Sequence, residues 1–201
     1  MQSTESQVIS TLYKIGSVRF GQFTLKSGQI SPIYLDLRKI ISYPDLLQNI
    51  ADLMWGKARN CQFDLICGVP YTALPMATAL SLKRDIPMIM RRKEQKSYGT
   101  KQKIEGVFQP GQSCLIIEDV ITTGSSILET IEDLTAAHLT IRDIIVFIDR
   151  EQGGKSTLEN QHYRLQPIFT LTEILHHLLE AEILPPDEST TVQQLIVEKS
   201  T

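Results

Sequence analysis

Between Cys114 and Ser126 the chain reads CLIIEDVITTGSS and joins three kinds of chemistry. An apolar run, Leu115-Ile116-Ile117, leads into two adjacent carboxylates, Glu118 and Asp119. Val120 and Ile121 follow, and then Thr122-Thr123-Gly124-Ser125-Ser126. A hydroxyl-rich loop that opens a helix presents backbone N–H groups with no partner inside that helix. Those donors, the positive end of the helix dipole and the hydroxyls together favour a phosphate. Gly124 lets the backbone come close to it. Two carboxylates beside a phosphate cradle would repel the charge of a nucleotide. They suit sugar hydroxyls, or a metal carried by those hydroxyls. The stretch therefore describes a ribose 5-phosphate site, with phosphate on the loop and the 2- and 3-hydroxyls on the acids. A plain strand–turn–helix with a capping hydroxyl and two solvated acids is the alternative. The fixed order of apolar strand, acid pair, apolar pair and loop favours the phosphate site. The loop lacks the Gly-Lys-Ser/Thr ending of a Walker loop and the Gly-x-Gly-x-x-Gly pattern of dinucleotide sites.

The elements that must hold this stretch alternate along the chain. The spacing of Val8, Leu12 and Ile15 predicts a helix over Glu5–Ile15. Phe20–Leu37 reads as short strands broken by Lys26-Ser27-Gly28 and Ser31-Pro32. Helix Pro44–Arg59, strand Phe63–Val69, helix Ala73–Lys83 and strand Pro87–Met90 follow. Strand Cys114–Glu118 ends on the acids and feeds helix Ser126–Ala137. Strand Ile141–Asp149, strand Arg164–Phe169, helix Thr172–Ala181 and helix Thr190–Lys199 complete the reading. Apolar strands alternating with amphipathic helices predict an α/β fold with a mainly parallel sheet, whose ligands lie beyond the carboxyl ends of strands. Arg91–Glu105 carries Arg91, Arg92, Lys93, Lys96, Lys101 and Lys103, with Gly99 as a hinge. It is too charged for a core and reads as a mobile surface loop.

Length and composition bound the rest. The 201 residues are most simply one domain with a small N-terminal subdomain of about residues 1–40. A net charge of −3 gives no basic field for nucleic acid. No apolar run approaches a membrane span and no signal peptide opens the chain. Three cysteines, an odd number without metal-ligand spacing, read as reduced thiols in a cytoplasmic protein. His138, His162, His176 and His177 read as structural or surface residues, since the adjacent pair would face different ways on a helix.

IIEDVITTGSS resembles the PRPP-binding stretch of type I phosphoribosyltransferases. Five further blocks narrow the resemblance: FTLKSGQISPIYLDLR (Phe23–Arg38), CGVPYTALPMA (Cys67–Ala77), RRKEQKSYGT (Arg91–Thr100), EGVFQPGQ (Glu105–Gln112) and DREQGG (Asp149–Gly154). Together they resemble orotate phosphoribosyltransferases, and several are most similar to the transferase half of animal UMP synthases. The similarity runs from about Phe20 to Gly154 and continues more weakly to the C-terminus.

The resemblance implies the type I phosphoribosyltransferase fold, with a hood subdomain. It also implies the reaction of orotate with PRPP, giving orotidine 5-monophosphate and diphosphate in pyrimidine biosynthesis. PRPP binding falls to Tyr71, Thr72, Arg92, Lys93, Lys96, Tyr98, Glu118, Asp119 and Thr122 to Ser126. Orotate falls to Lys26, Tyr34, Thr122 and Arg150, whose guanidinium fork suits the carboxylate. Lys26, Lys96, Glu118 and Asp119 form the implied catalytic set. Thr72 stands where many bacterial relatives have Lys, which leaves backbone amides to meet the diphosphate. Tyr98 stands where many have His. A phenol with a pKa near ~10 donates a hydrogen bond at neutral pH rather than acting as a general acid.

The implied cofactor is Mg²⁺, held mainly by PRPP rather than by a protein cage. The implied assembly is a homodimer with shared active sites. With the chain ending at Thr201, the decarboxylase fused to animal relatives would be a separate protein, with which this one could associate. From the residues alone, Arg150 can instead pair with Asp149 or Glu151, and the cations of Arg91–Glu105 can be a solvated face. The rival readings are transfer to another base and a non-catalytic regulatory protein on the same fold.

Overall fold

The computed structural model describes residues 3–24, 28, 30–93 and 103–199. The chain divides into two compact units, one of Met1–Asn49 with Leu171–Thr201, the other of Ile50–Thr170.

In the first unit, helix α1 (Thr4–Lys14) starts where the Ser3 hydroxyl accepts the Ser6 N–H at 3.2 Å, a side-chain N-cap. Its Val8, Ile9 and Leu12 are buried. Strands β1 (Val18–Thr24) and β2 (Ile30–Leu35) form an antiparallel hairpin with a register shift between Phe20 and Phe23. A 3-10 helix over Leu37–Ser42 precedes α2 (Pro44–Ala58), which runs on into the second unit. Helix α6 (Leu171–Glu180) buries Leu171, Ile174, Leu175 and Leu178 along one stripe. It packs on α1 and on α7 (Pro186–Lys199). The sequence reading starts α7 four residues later because Pro185-Pro186 looks like a break. Pro186 is instead the first helical residue, where its missing N–H costs nothing.

The second unit is built on a six-stranded sheet. In chain order it holds β3 (Leu65–Gly68), α3 (Ala73–Arg84), β4 (Met88–Arg91), β5 (Ile104–Glu105) and β6 (Ser113–Ile121). Then come α4 (Ser125–Ala136), β7 (Thr140–Asp149), α5 (Gly154–Glu159) and β8 (Arg164–Thr170). The sheet order is β5-β4-β3-β6-β7-β8. All neighbours are parallel except β4 and β5. Strands β3, β6 and β7 are buried nearly throughout, as a parallel sheet covered on both faces requires. Phe147 meets Phe169 edge-on, ring centroids 5.7 Å apart, within this core.

Two boundaries matter for the site. Strand β6 does not stop at Glu118. It continues through Ile121, pairing Val120 with Ile148 and Ile121 with Asp149 of β7. The apolar pair after the acids is therefore strand, not loop. In addition, Arg91 closes β4 and Ile104–Glu105 form the edge strand β5, so both ends of the segment expected to be a loop belong to the sheet.

Candidate active site

After β3 the chain turns to β4 on one side, and β6 then pairs with β3 on the other. The strand order reverses between β3 and β6, and open parallel sheets bind ligands in the crevice such a reversal opens. The two loops that leave this point are Val69–Thr72 and Thr122–Gly124. They spring from strands tied together, since the Val69 N–H donates to the Ile117 carbonyl at 2.9 Å.

Glu118 and Asp119 are adjacent on β6 and their carboxyls hydrogen-bond each other, but the two differ in exposure. Glu118 is only 4% exposed, and its Oε1 accepts the backbone N–H of Asp119 at 2.9 Å. Burial pushes its carboxyl well above the usual range, and the hydrogen bond and negative charge of Asp119 push the same way. Asp119 is half-buried. The acid pair is thus a buried carboxyl with a raised pKa beside a more accessible one.

Beyond β6 the loop turns through Gly124, whose φ of 87° places it in the left-handed region as the N-cap of α4. Glu118, Thr122, Gly124, Ser125 and Ser126 line a small recess of about 30 Å³. The first N–H groups of α4 have no carbonyl within the helix to bond. Thr123 Oγ1 lies 3.4 Å from Ser125 Oγ, so hydroxyls and amides share one rim.

The turn after β7 holds this loop from behind. The Arg150 N–H donates to the Ile121 carbonyl at 3.0 Å, and the Gly154 N–H to the Thr122 carbonyl at 2.8 Å. A Cβ on Gly154 would stand 2.5 Å from that same oxygen and 2.6 Å from Ile121 Cγ1, so only glycine fits. This contact is not legible in the sequence; its one trace is the Gly153-Gly154 pair in the DREQGG block. Asp149 Oδ1 accepts the Glu151 N–H at 2.7 Å, which gives that carboxylate a backbone partner. Arg150 is half-buried, and burial lowers its pKa from the ordinary arginine value. The cradle and Arg150 are therefore brought together by neighbouring strand ends.

On the β3 side, Tyr71 is exposed and Thr72 is half-buried directly before α3. Lys93 Nζ lies 5.7 Å from the centre of the Tyr71 ring, within cation–π range. Arg92 donates through Nη1 to Glu105 Oε1 at 2.7 Å. Arg92 and Lys93, both assigned to PRPP by the resemblance, thus have defined neighbours. Lys26, Lys96 and Tyr98 lie outside the described residues.

In the first unit, Tyr34 stacks on Phe23 with ring centroids 5.3 Å apart. The Arg19 guanidinium carbon sits 5.0 Å from the Tyr34 ring centre and 5.5 Å from that of Phe23. Arg38, held by Asp36, reaches the Tyr34 hydroxyl at 3.4 Å. The sequence singles out Tyr34 but not Arg19 or Phe23. The β1–β2 register, which sets Arg19 opposite Tyr34, explains the grouping. Among the described residues no three His, Cys, Asp or Glu side chains converge as a metal cage.

The phosphoribosyl transferase domain family matches residues 38–165. The chain is 46% identical over 180 residues to the orotate phosphoribosyltransferase of Chlamydia caviae, covering 89% of this chain and 87% of that one. It is 44% identical over 195 residues to the uridine 5'-monophosphate synthase of Bos taurus, covering 96% of this chain but only 41% of the bovine protein. The crystal structure of orotate phosphoribosyltransferase from Aeropyrum pernix superposes with a TM-score of 0.77 at 32% identity, over 85% of this chain and 97% of that one. With these relatives over most of its length, and the acid-bearing strand and glycine loop at the switch point of such a sheet, the chain is a member of the orotate phosphoribosyltransferase family.

Proposed function

We propose that this chain transfers the 5-phosphoribosyl group of PRPP to N1 of orotate, giving orotidine 5-monophosphate and diphosphate. The observation that carries the reading is the α4 cradle directly beyond an acid-bearing strand. It offers donors for a 5-phosphate and acceptors for ribose hydroxyls within one turn of chain.

The C1–O bond to diphosphate breaks, and its electron pair leaves with the diphosphate oxygen. The lone pair of deprotonated orotate N1 forms the new C1–N1 bond. C1 passes through oxocarbenium character, as in glycoside chemistry. Asp119 accepts the ribose hydroxyls, and its negative charge stabilises positive charge growing on the sugar. Glu118, which lines the recess beside the loop, fixes the Asp119 backbone through the 2.9 Å hydrogen bond. The 5-phosphate on Thr123–Ser126 anchors the sugar, so displacement occurs at a fixed C1. By resemblance, Tyr71, Thr72 and Lys93 are assigned to the diphosphate and Tyr34 and Arg150 to orotate, and Lys26 and Lys96 are assigned in the same way. The donors fit Mg²⁺, since the Asp119 carboxylate and the phosphate and hydroxyl oxygens of PRPP are all hard ligands. Bound mainly through PRPP, the ion would neutralise charge on the diphosphate.

The same reading includes a homodimer whose two sites share residues, a cytoplasmic setting that keeps the thiols reduced, and association with a separate orotidine monophosphate decarboxylase. The direct test follows loss of orotate with PRPP and Mg²⁺, with uracil, adenine and hypoxanthine as competing bases. Orotate consumption with stoichiometric diphosphate supports the proposal. Turnover of another base but not orotate rejects the assignment of the base. PRPP binding with no turnover of any base favours the regulatory rival.

A further inference from the structure

We propose that Asp133, near the far end of α4 from the phosphate cradle, is a positioning residue for the diphosphate side of the site. It holds Arg91 and Lys103, and through them the backbone at Arg92, so that Lys93 stays beside the Val69–Thr72 loop. This rests on the diphosphate role given above to Tyr71, Thr72 and Lys93.

Each Asp133 oxygen takes one cation: Arg91 Nε donates to Oδ2 at 2.7 Å and Lys103 Nζ to Oδ1 at 2.6 Å. The Arg91 and Asp133 side chains are only 9% and 10% exposed. Exposed ion pairs contribute little, but removing one partner of a shielded pair leaves a charge without its counter-charge. The second acid near Arg91, Glu129, is 3.4 Å away and 64% exposed, a weaker substitute. Burial alone would raise the Asp133 carboxyl; the hydrogen bonds from Lys103 and Arg91 outweigh it and hold the group below the usual range.

Arg91 and Lys103 are the two ends of one structure. Arg91 pairs with Ile104 across β4 and β5, and the Arg92 N–H donates to the Lys103 carbonyl at 2.8 Å. Asp133 thus gathers both ends onto α4, and Lys93 stands two residues beyond the Arg91 it holds. Ser125 and Asp133 are about 12 Å apart along the helix, at ~1.5 Å per residue. One helix therefore carries the phosphate cradle at its start and, near its end, the acid that holds Arg91 and Lys103.

The test compares the wild type with Asp133→Asn and Asp133→Glu in the full-length protein. Calorimetry measures the Kd of inorganic diphosphate with Mg²⁺ and, separately, of inorganic phosphate, and steady-state kinetics gives KM for PRPP and kcat. Asp133→Asn is expected to weaken diphosphate and raise KM for PRPP by about tenfold, with phosphate affinity changed less than about twofold. Asp133→Glu, which keeps the charge, should recover most of the loss. Unchanged diphosphate binding in Asp133→Asn overturns the proposal, as does equal weakening of both anions, the mark of general damage to the fold. If Asp133 shows this selectivity while the wild type uses a base other than orotate, the positioning role stands and only the base assignment falls. A wild type that binds no diphosphate rejects both.

Discussion

Gly154→Ala tests whether the turn after β7 sets the geometry of the phosphate cradle. The new Cβ would lie 2.5 Å from Thr122 O, 2.6 Å from Ile121 Cγ1 and 2.7 Å from Ile121 Cδ1, where ordinary contact begins at 3.4 Å. The nearest atom is backbone, so no rotamer change relieves the clash. Either the Thr122 carbonyl or the Gly154 backbone must retreat by about 0.9 Å, an overpacking displacement that typically costs about 1–3 kcal/mol. The 2.8 Å hydrogen bond from Gly154 N–H to Thr122 O stretches with it, adding about 1 kcal/mol. A sum of about 2–4 kcal/mol lowers Tm by about 4–16 °C for a chain of this size. The moving carbonyl belongs to the cradle itself, and a misplacement of about 1 Å in a positioning contact can cost about 10²-fold in rate.

The assay is kcat/KM for PRPP alongside Tm, with Gly153→Ala as the control. Gly153 has a φ of 89° and open space where its Cβ would go, so alanine there strains its own backbone by about 1–2 kcal/mol and pushes on nothing. Gly153→Ala should lose some stability with kcat/KM within a few-fold of wild type. Gly154→Ala should lose both. If Gly154→Ala keeps kcat/KM within threefold of wild type, the turn does not set the cradle.

Asp119→Asn should lower kcat/KM by about 10²-fold or more with Tm within about 2 °C, and near-normal turnover would remove its role on the ribose. Arg150→Ala should raise KM for orotate by about 30-fold while PRPP affinity holds, and equal losses for both substrates would make it a structural residue. A thiol reagent should modify half-exposed Cys61 in the native protein. Burial pushes Cys67 up to about 11 and Cys114 well up also, so these two should react only on unfolding. Glu118 binds its proton more tightly folded than unfolded, so stability contributed there declines as pH rises above the unfolded value of about 4.3. Glu118→Gln should flatten that decline in Tm from about pH 5 to 8, and an unchanged slope would mean the carboxyl is not proton-holding.

The layered fold was legible because its strongest signals are local. The apolar run from Ile144 to Ile148 could only be a doubly covered strand, and the Leu171–Leu178 stripe could only face a core. What escaped were elements too short to show a period: the two residues of β5, the six of α5 and the 3-10 turn over Leu37–Ser42. Each is fixed by partners remote in sequence rather than by its own pattern. The end of β6 was misplaced for a related reason. Two carboxylates look like the end of a strand, yet the pairing of Val120 and Ile121 with Ile148 and Asp149 carries the ladder past them.

That extension changes what the acid pair can do. Had the strand ended at Glu118, both carboxylates could have turned freely toward one ligand. Held inside the ladder, the two carboxyls hydrogen-bond each other but differ in exposure. Glu118 buries its carboxyl against the Asp119 backbone, and that burial raises its pKa well above the usual range. Asp119 remains the more accessible acceptor beside the loop. A pair that reads as two equivalent acids in the sequence is a positioned acid with its support, and the difference predicts distinct mutants. Asp119→Asn should cost turnover at nearly constant stability. Glu118→Gln, which preserves the acceptor for the Asp119 N–H, should move the pH dependence of Tm more than kcat/KM. If instead Glu118→Gln loses as much turnover as Asp119→Asn with no change in the Tm slope, both carboxylates act directly on the sugar and the asymmetry has no functional consequence.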